Sequence, residues 1–172
     1  MQTTLGRTGD YAVRAVLNIT RSEGDRRKTR EIAAAMDIPA RFLTQILASL
    51  VAEGILHATA GPTGGYVLAK PAEEITLLEV VEAAEGPIAL DKCVLSGGRC
   101  EWGEVCPVHI PWSRAQNAFR EELAKASFAD LRVSCEEISA GEYVLPPDAP
   151  LHELSTDRRC PDPHEEGIAQ ER

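Results

Sequence analysis

The sequence predicts a mainly α-helical fold with a small β-hairpin wing: a winged helix-turn-helix followed by a long dimerisation helix. Three observations favour this architecture. Two short amphipathic helices flank a tight break at Asp37–Pro39, and a glycine-rich turn at residues 61–64 joins two short strands. A later stretch, after residue 109, has an apolar stripe with the helical period. The 172 residues suit one compact domain with an appended segment.

The N-terminal third is predicted to form three helices. The first covers Thr8–Arg21 and has a broad apolar face. The second begins at Thr29, a suitable N-cap, and ends near Met36, because Pro39 disfavours helix at the residue before it. The third follows from Pro39 and repeats apolar side chains at helical spacing: Leu43, Ile46, Leu47 and Leu50.

A β-hairpin is predicted next. Residues 54–60 and 65–69 have strand character, and Gly61–Gly64 between them has the composition of a turn. Helices, turn, helix and hairpin in this order are typical of a winged helix-turn-helix.

Two further helices are predicted after the hairpin. A capping box at Thr76 and Glu79 opens a short helix, which Gly86 ends. A long helix is predicted from near Pro111 to Ala126, and its apolar stripe suits packing against a partner helix. The stripe consists of Trp112, Ala115, Phe119 and Leu123.

These elements divide the chain into four predicted segments. Residues 1–86 form the winged helix-turn-helix domain, 87–108 a cysteine-bearing loop, and 109–133 the dimerisation helix region. Residues 134–172 form an acidic tail, which we expect to be disordered because Pro, Asp, Glu and Gly dominate its later part.

Charge is distributed unevenly along the chain. The net charge is −9, but residues 1–70 carry nine Lys or Arg and six Asp or Glu, a net of +3, and residues 71–172 carry the remaining −12. A basic N-terminal half is typical of a DNA-binding module joined to a separate sensing region. No apolar run approaches the roughly 20 residues that span a bilayer. We therefore expect a cytoplasmic protein, without a membrane partner, in which thiols stay reduced.

The second helix of a helix-turn-helix enters the major groove, and its exposed residues here are Arg41, Thr44 and Gln45. Arginine suits guanine, and glutamine suits adenine. The alternative is that these residues only cover a solvated helix face. The candidates for contacts to phosphates and for the wing's contact with the minor groove are Lys28, Thr29, Ser49, Gly61, Thr63 and Gly64.

Three cysteines and a histidine occur close together: Cys93, Cys100, Cys106 and His109. Their thiolate and imidazole donors suit an iron–sulfur cluster or zinc. Zinc prefers paired ligands two to four residues apart, so the wider spacing favours a cluster, and a thiol switch would need only two of the three cysteines. No general base or substrate pocket can be named near them, so an enzyme is the less favoured alternative.

The combination of motifs resembles the Rrf2 family of bacterial transcription regulators over about residues 1–133. The motifs are the Tyr11–Arg14 start, the wing Gly61–Tyr66 and the three-cysteine loop. This resemblance implies a homodimeric winged-helix repressor of double-stranded DNA operators, whose loop cysteines hold an iron–sulfur cluster. It also implies that the long helix crosses to the other protomer. Ala60 stands where many members carry a basic residue, so no target sequence is inferred.

Two residues are candidates for the fourth cluster ligand. Cys106 to His109 resembles the arrangement of IscR-like members and implies a 2Fe–2S cluster. Asp10, within Gly9–Ala12, resembles the aspartate of NsrR-like members and implies a 4Fe–4S cluster completed across the dimer. His109 is favoured because it lies close to Cys106 in sequence, and Asp10 remains the alternative.

Overall fold

The computed structural model describes residues 5–22, 24–88 and 106–146, and has the predicted fold class. The first half contains three helices and an antiparallel hairpin: α1 (Arg7–Thr20), α2 (Thr29–Met36), α3 (Ala40–Ala52), β1 (Leu56–Thr59) and β2 (Gly65–Leu68). After a short 3-10 turn at Ala72–Glu74 come α4 (Leu77–Glu85), α5 (His109–Lys125) and α6 (Phe128–Ala140). Residues 89–105 of the predicted loop and residues 147–172 of the predicted tail lie outside the described ranges.

The turn between α2 and α3 is built around Asp37. Its backbone is left-handed, with φ of 50°, and the N–H of Ile38 donates to the carbonyl of Ala33 at 3.0 Å. The N-cap of α2 lies one residue earlier than predicted. Lys28 occupies this position, and its N–H donates to the Glu31 carboxylate at 2.9 Å. Thr29 is therefore the first helical residue and not the cap.

The core lies where α1, α2, α3 and α4 meet, and it extends to the hairpin and to the first residue of α6. It includes Val16, Ile32, Leu47, Leu56, Val80 and Phe128, all at most 1% exposed. Apolar periodicity in the sequence thus predicts the buried face of α3, since its four spaced residues Leu43, Ile46, Leu47 and Leu50 are all buried.

The hairpin pairs Leu56 with Leu68 at one end and Thr59 with Gly65 at the other. Arg27 extends it on its open edge by donating to and accepting from Tyr66, at 3.0 and 2.9 Å. Gly65 allows this approach, because a Cβ there would lie 2.8 Å from the carbonyl oxygen of Arg27. The wing is therefore attached at Tyr66 to the segment that precedes α2.

α4 begins with the predicted capping box. The Thr76 N–H donates to the Glu79 carboxylate at 2.8 Å, and the Glu79 N–H donates to the Thr76 hydroxyl at 3.2 Å. Burial opposes ionisation of Glu79, but hydrogen bonds from Lys70 and Thr76 and the charge of Lys70 outweigh it and lower the pKa of Glu79. The ionised Glu79 therefore stabilises the folded state at pH values above the ordinary pKa of a glutamate. This stabilisation is lost as the pH falls and the carboxylate is protonated.

α5 begins two residues before the predicted first position, so Pro111 occupies its third residue. A proline is tolerated there because the N–H groups of a helix's first turn have no partner within the helix. None of the residues of α5 is buried in this chain, and Ile110 and Phe119 are 51% and 47% exposed.

α6 corrects the predicted boundary of the tail at residue 134. The helix begins at a Ser127–Asp130 capping box and continues to Ala140, because no helix breaker occurs before Gly141. It is held to the domain by reciprocal backbone bonds: Leu77 donates to Ala126, and Phe128 donates to Ile75, each at 2.9 Å.

Replacing Phe128 with alanine is expected to lower the free energy of unfolding by about 3–5 kcal/mol, because it leaves a cavity in the core. Phe128 is 0% exposed, whereas Val133 on the same helix is 46% exposed. Val133→Ala is therefore the matched control, with an expected loss below about 1 kcal/mol. Urea unfolding followed by circular dichroism measures both, and equal losses would contradict the packing of α6 on the core.

Within the ranges the structure describes, no single helix is long and apolar enough to span a membrane. α2 and α3 meet that test only when taken together, and they are bent by 116° at the turn between them.

Candidate DNA-binding surface and sensor residues

The exposed face of α3 carries the residues predicted to contact bases. Arg41, Thr44 and Gln45 are all exposed. The Arg41 guanidinium lies 4.6 Å from the ring centre of Phe42, and the Thr44 hydroxyl donates to the Ala40 carbonyl at 3.2 Å. These interactions stay within α3, so the side chains can turn to a ligand without breaking the core.

A basic strip, defined as Arg26, Arg27 and Lys28, lies beside the wing. Arg26 donates to the Thr59 hydroxyl at 2.6 Å, and Arg27 donates to the side-chain oxygen of the buried Asn18 at 3.3 Å. The strip therefore joins the wing to α1. Lys28 and Thr29 are half-buried at its end, next to the start of α2.

The predicted contact residues at the tip of the wing differ in their exposure. Gly61 and Thr63 are exposed, whereas Gly64 is buried and donates its N–H to the Gly61 carbonyl at 3.0 Å. A Cβ on Gly64 would lie 2.1 Å from the Thr59 carbonyl oxygen. Gly64 therefore shapes the turn, while Gly61 and Thr63 form the surface that a groove could meet.

A cavity of about 320 Å³ lies between the start of α1, α3 and α4. Gln45 and Ser49 line it from α3, together with Arg7 and Thr8 from α1. Arg7 and Thr8 are not among the residues predicted from the sequence to contact DNA. The available signal was a basic residue next to a hydroxyl residue at the start of a predicted helix. The rest of the lining is Tyr11, Phe42, Ile46 and Ala84.

Asp10 lies on α1 and is paired with Arg14, one turn further along. Arg14 also donates to the Met36 carbonyl at 2.8 Å, and its guanidinium lies 5.1 Å from the ring centre of Tyr11. Asp10 is thus linked through Arg14 to the end of α2 and the turn that follows it. The ion pair with Arg14 was not predicted, although the i,i+4 spacing of the two residues was a signal for it.

His109 is the first residue of α5, and Cys106 lies three residues before it. Cys106 is 8% exposed, and its carbonyl accepts the His109 N–H at 3.1 Å. The His109 ring is exposed, with its Nε2 3.4 Å from the Ser113 hydroxyl. A backbone turn therefore joins these two candidate ligands.

The other two candidate ligands, Cys93 and Cys100, lie outside the described residues. In the part of the chain that the structure describes, no three His, Cys, Asp or Glu side chains form a group that could hold a metal ion. Cys106 is a free thiol, and Cys135 on α6 is buried and disulfide-bonded.

Comparison with known proteins assigns the family. Residues 5–133 match Rrf2, described as an iron-dependent transcriptional regulator. The HTH-type transcriptional regulator IscR of Escherichia coli O1:K1 / APEC is 32% identical over 143 residues, which cover 83% of this chain and 88% of IscR.

Two solved structures have the same fold. IscR of T. potens matches with a TM-score of 0.64 and 22% identity, over 80% of this chain and 91% of that one. CymR, the global cysteine regulator of B. subtilis, matches with a TM-score of 0.65 and 22% identity, over 77% of this chain and 98% of that one. The chain therefore belongs to the Rrf2 family and is a DNA-binding transcription regulator rather than an enzyme.

Proposed function

We propose that the protein is a repressor whose affinity for a double-stranded DNA operator depends on an iron–sulfur cluster bound by Cys93, Cys100, Cys106 and His109. The observation that carries the proposal is the backbone turn that joins Cys106 to His109, the first residue of α5. A shielded cysteine and an accessible imidazole joined by one turn are a suitable pair of donors for a cluster iron. The match of the chain to an iron-dependent family supports the same choice.

A 2Fe–2S cluster with His109 as fourth ligand is the favoured form, and a 4Fe–4S cluster with Asp10 is the alternative. The ion pair between Asp10 and Arg14 supports His109, since Asp10 would have to leave Arg14 to bind iron. When bound, the cluster supplies thiolate–iron bonds that oxidation or loss of iron can break.

Cys106 connects this site to the rest of the protein. Its carbonyl accepts the His109 N–H, so a displacement of Cys106 displaces the first turn of α5. Ala115 and Phe119, two residues of the predicted apolar stripe that lie one turn apart, are exposed and support α5 as the helix through which two copies form a homodimer. In such a dimer, the position of α5 sets the spacing of the two α3 helices, and a DNA site tolerates little error in that spacing.

The DNA contacts we propose follow the exposed surface. Arg41, Thr44 and Gln45 contact base edges, while Lys28, Thr29 and Ser49 contact phosphates. The wing contributes Gly61 and Thr63, with Gly64 holding its turn. A regulator that binds chromosomal operators acts in the cytoplasm.

The fourth ligand can be tested by comparing His109→Ala with Asp10→Ala. We expect anaerobically purified His109→Ala to lose the visible absorption of a 2Fe–2S cluster, and Asp10→Ala to keep it. Iron and acid-labile sulfide content, together with Mössbauer spectra, measure the cluster, and far-ultraviolet circular dichroism checks the fold of both variants. The reverse pattern, with a 4Fe–4S signature in the unmodified protein, would assign the ligand to Asp10.

A thiol-based regulator of the same fold is the second candidate. The disulfide-bonded state of Cys135 supports this candidate, because it places one of the chain's cysteines in an oxidised form. Analysis of iron, sulfide and zinc content separates three forms: the cluster-binding regulator, the thiol-based regulator and a zinc-binding regulator. A colourless protein whose operator affinity changes with dithiol reductant supports the thiol candidate, and stoichiometric zinc supports the metal alternative.

A further inference from the structure

Glu82 on α4 and Arg120 on α5 form an ion pair next to Ile88, the last described residue before the cysteine-bearing segment. Arg120 also donates to the Ile88 carbonyl at 3.3 Å, and the Ile88 N–H donates to the same Glu82 oxygen at 3.0 Å. Three segments of the chain therefore meet at one carboxylate. We refer to Glu82, Arg120 and the backbone of Ile88 as the α4–α5 joint.

The joint is more shielded than the ion pairs around it. The side chains of Arg120 and Glu82 are 31% and 24% exposed, whereas those of Lys125 and Glu122, also on α5, are 69% and 75% exposed. Exposed pairs contribute little to stability, but removal of one partner from a shielded pair leaves a charge without its counterion. The joint thus favours one arrangement of α5 against α4.

Both helices continue from the joint towards residues with proposed functions. Arg120 lies eleven residues after His109, about 16 Å along the same helix. On α4, Glu85 lies one turn after Glu82 and accepts the Gly9 N–H at 2.9 Å. The next residue of α1 is Asp10, whose partner Arg14 donates to the Met36 carbonyl. The joint therefore lies between the helix that begins at the proposed sensor residues and the helices that position α3.

We propose that the α4–α5 joint transmits the state of the Cys106 and His109 site to the DNA-binding surface, with Arg120 as its positioning residue. The inference rests on the proposed function, because it requires operator affinity to differ between cluster-loaded and cluster-free protein. Arg120 belongs neither to the proposed DNA contacts nor to the proposed ligand set. Its loss changes how strongly the two sites are coupled and leaves each site intact.

The test uses the full-length chain with Arg120→Met, Glu82→Gln and the control Lys125→Met, which breaks the exposed pair on the same helix. For each protein, the operator dissociation constant is measured by fluorescence anisotropy in the cluster-loaded and cluster-free forms, and visible absorption records cluster content. The ratio of the two dissociation constants is the coupling. Coupling between sites is typically about 5–150-fold.

We expect Arg120→Met to keep the cluster and to lower the coupling ratio at least about fivefold, towards one. Lys125→Met should keep the ratio of the unmodified protein. Glu82→Gln retains an oxygen acceptor for Ile88 and removes only the charge, so it tests the joint if Arg120→Met fails to fold. An unchanged ratio in cluster-loaded Arg120→Met or Glu82→Gln overturns the inference, and so does loss of the cluster in both. A ratio of one in the unmodified protein contradicts the proposed function itself, and the inference with it.

Discussion

Cys106→Ser is expected to abolish the visible absorption of the anaerobically purified protein and to give it the operator affinity of the cluster-free unmodified protein. A serine hydroxyl is a much poorer iron ligand than a thiolate. Cys106 is also the proposed ligand whose backbone is bonded to the first turn of α5. Absorption spectra, iron analysis and anisotropy titrations of an operator fragment from the protein's own promoter region measure the effect.

Cys160→Ser is the matched control for this prediction. It removes one of the five cysteines but lies outside the proposed ligand set. It should keep both the absorption and the affinity difference. A Cys106→Ser protein that keeps its cluster would remove Cys106 from the ligand set, and equal losses in both variants would favour general thiol chemistry over a dedicated site.

The second large effect is expected at the wing. Gly64→Val should weaken operator binding about a hundredfold in cluster-loaded and cluster-free protein alike, equivalent to about 2.7 kcal/mol. The reason is steric, since a Cβ at this position would lie 2.1 Å from the Thr59 carbonyl oxygen and 2.8 Å from the Ala60 carbonyl carbon. The turn must then distort, and the exposed Gly61 and Thr63 move with it.

Cluster content separates this defect from a general loss of folding. Gly64→Val should keep its visible absorption, because the wing and the start of α5 are separate parts of the fold. Pro62→Ala, an exposed change in the same turn, is the control and should bind the operator within a few-fold of the unmodified protein. Near-normal binding by Gly64→Val would show that the wing does not contribute to the interface.

Local signals in the sequence predicted most of the fold. The four apolar residues of α3 are buried as their spacing indicates, and the capping box at Thr76 begins the short helix expected there. Both kinds of signal act within a single helix, so no knowledge of distant residues is needed. Composition was less reliable, because residues 134–140 were assigned to an acidic tail and instead complete α6.

Interactions between distant residues could not be predicted in this way. Glu82 and Arg120 are 38 positions apart, and their pairing depends on how α4 and α5 pack. The same holds for Glu85 and Gly9, which are 76 positions apart. By contrast, the ion pair of Asp10 and Arg14 has a helical spacing that sequence reasoning can detect.

The candidate sensor site was predicted from residue types and spacing, and the structure describes half of it. A backbone turn joins Cys106 to His109, the first residue of α5, while Cys93 and Cys100 lie outside the described residues. The spacing of donors indicates their chemistry, but it cannot determine whether His109 or Asp10 completes the set, since Asp10 would reach a cluster only through the arrangement of the dimer.

The central claim is that the cluster gates operator binding. The most direct test takes one anaerobic preparation, measures its operator dissociation constant with the cluster intact, removes the cluster by chelation, and repeats the measurement on the same protein. We predict a change of at least about fivefold in the dissociation constant between the two states. Dissociation constants that agree within twofold, in a preparation shown to contain stoichiometric iron and sulfide, would contradict it.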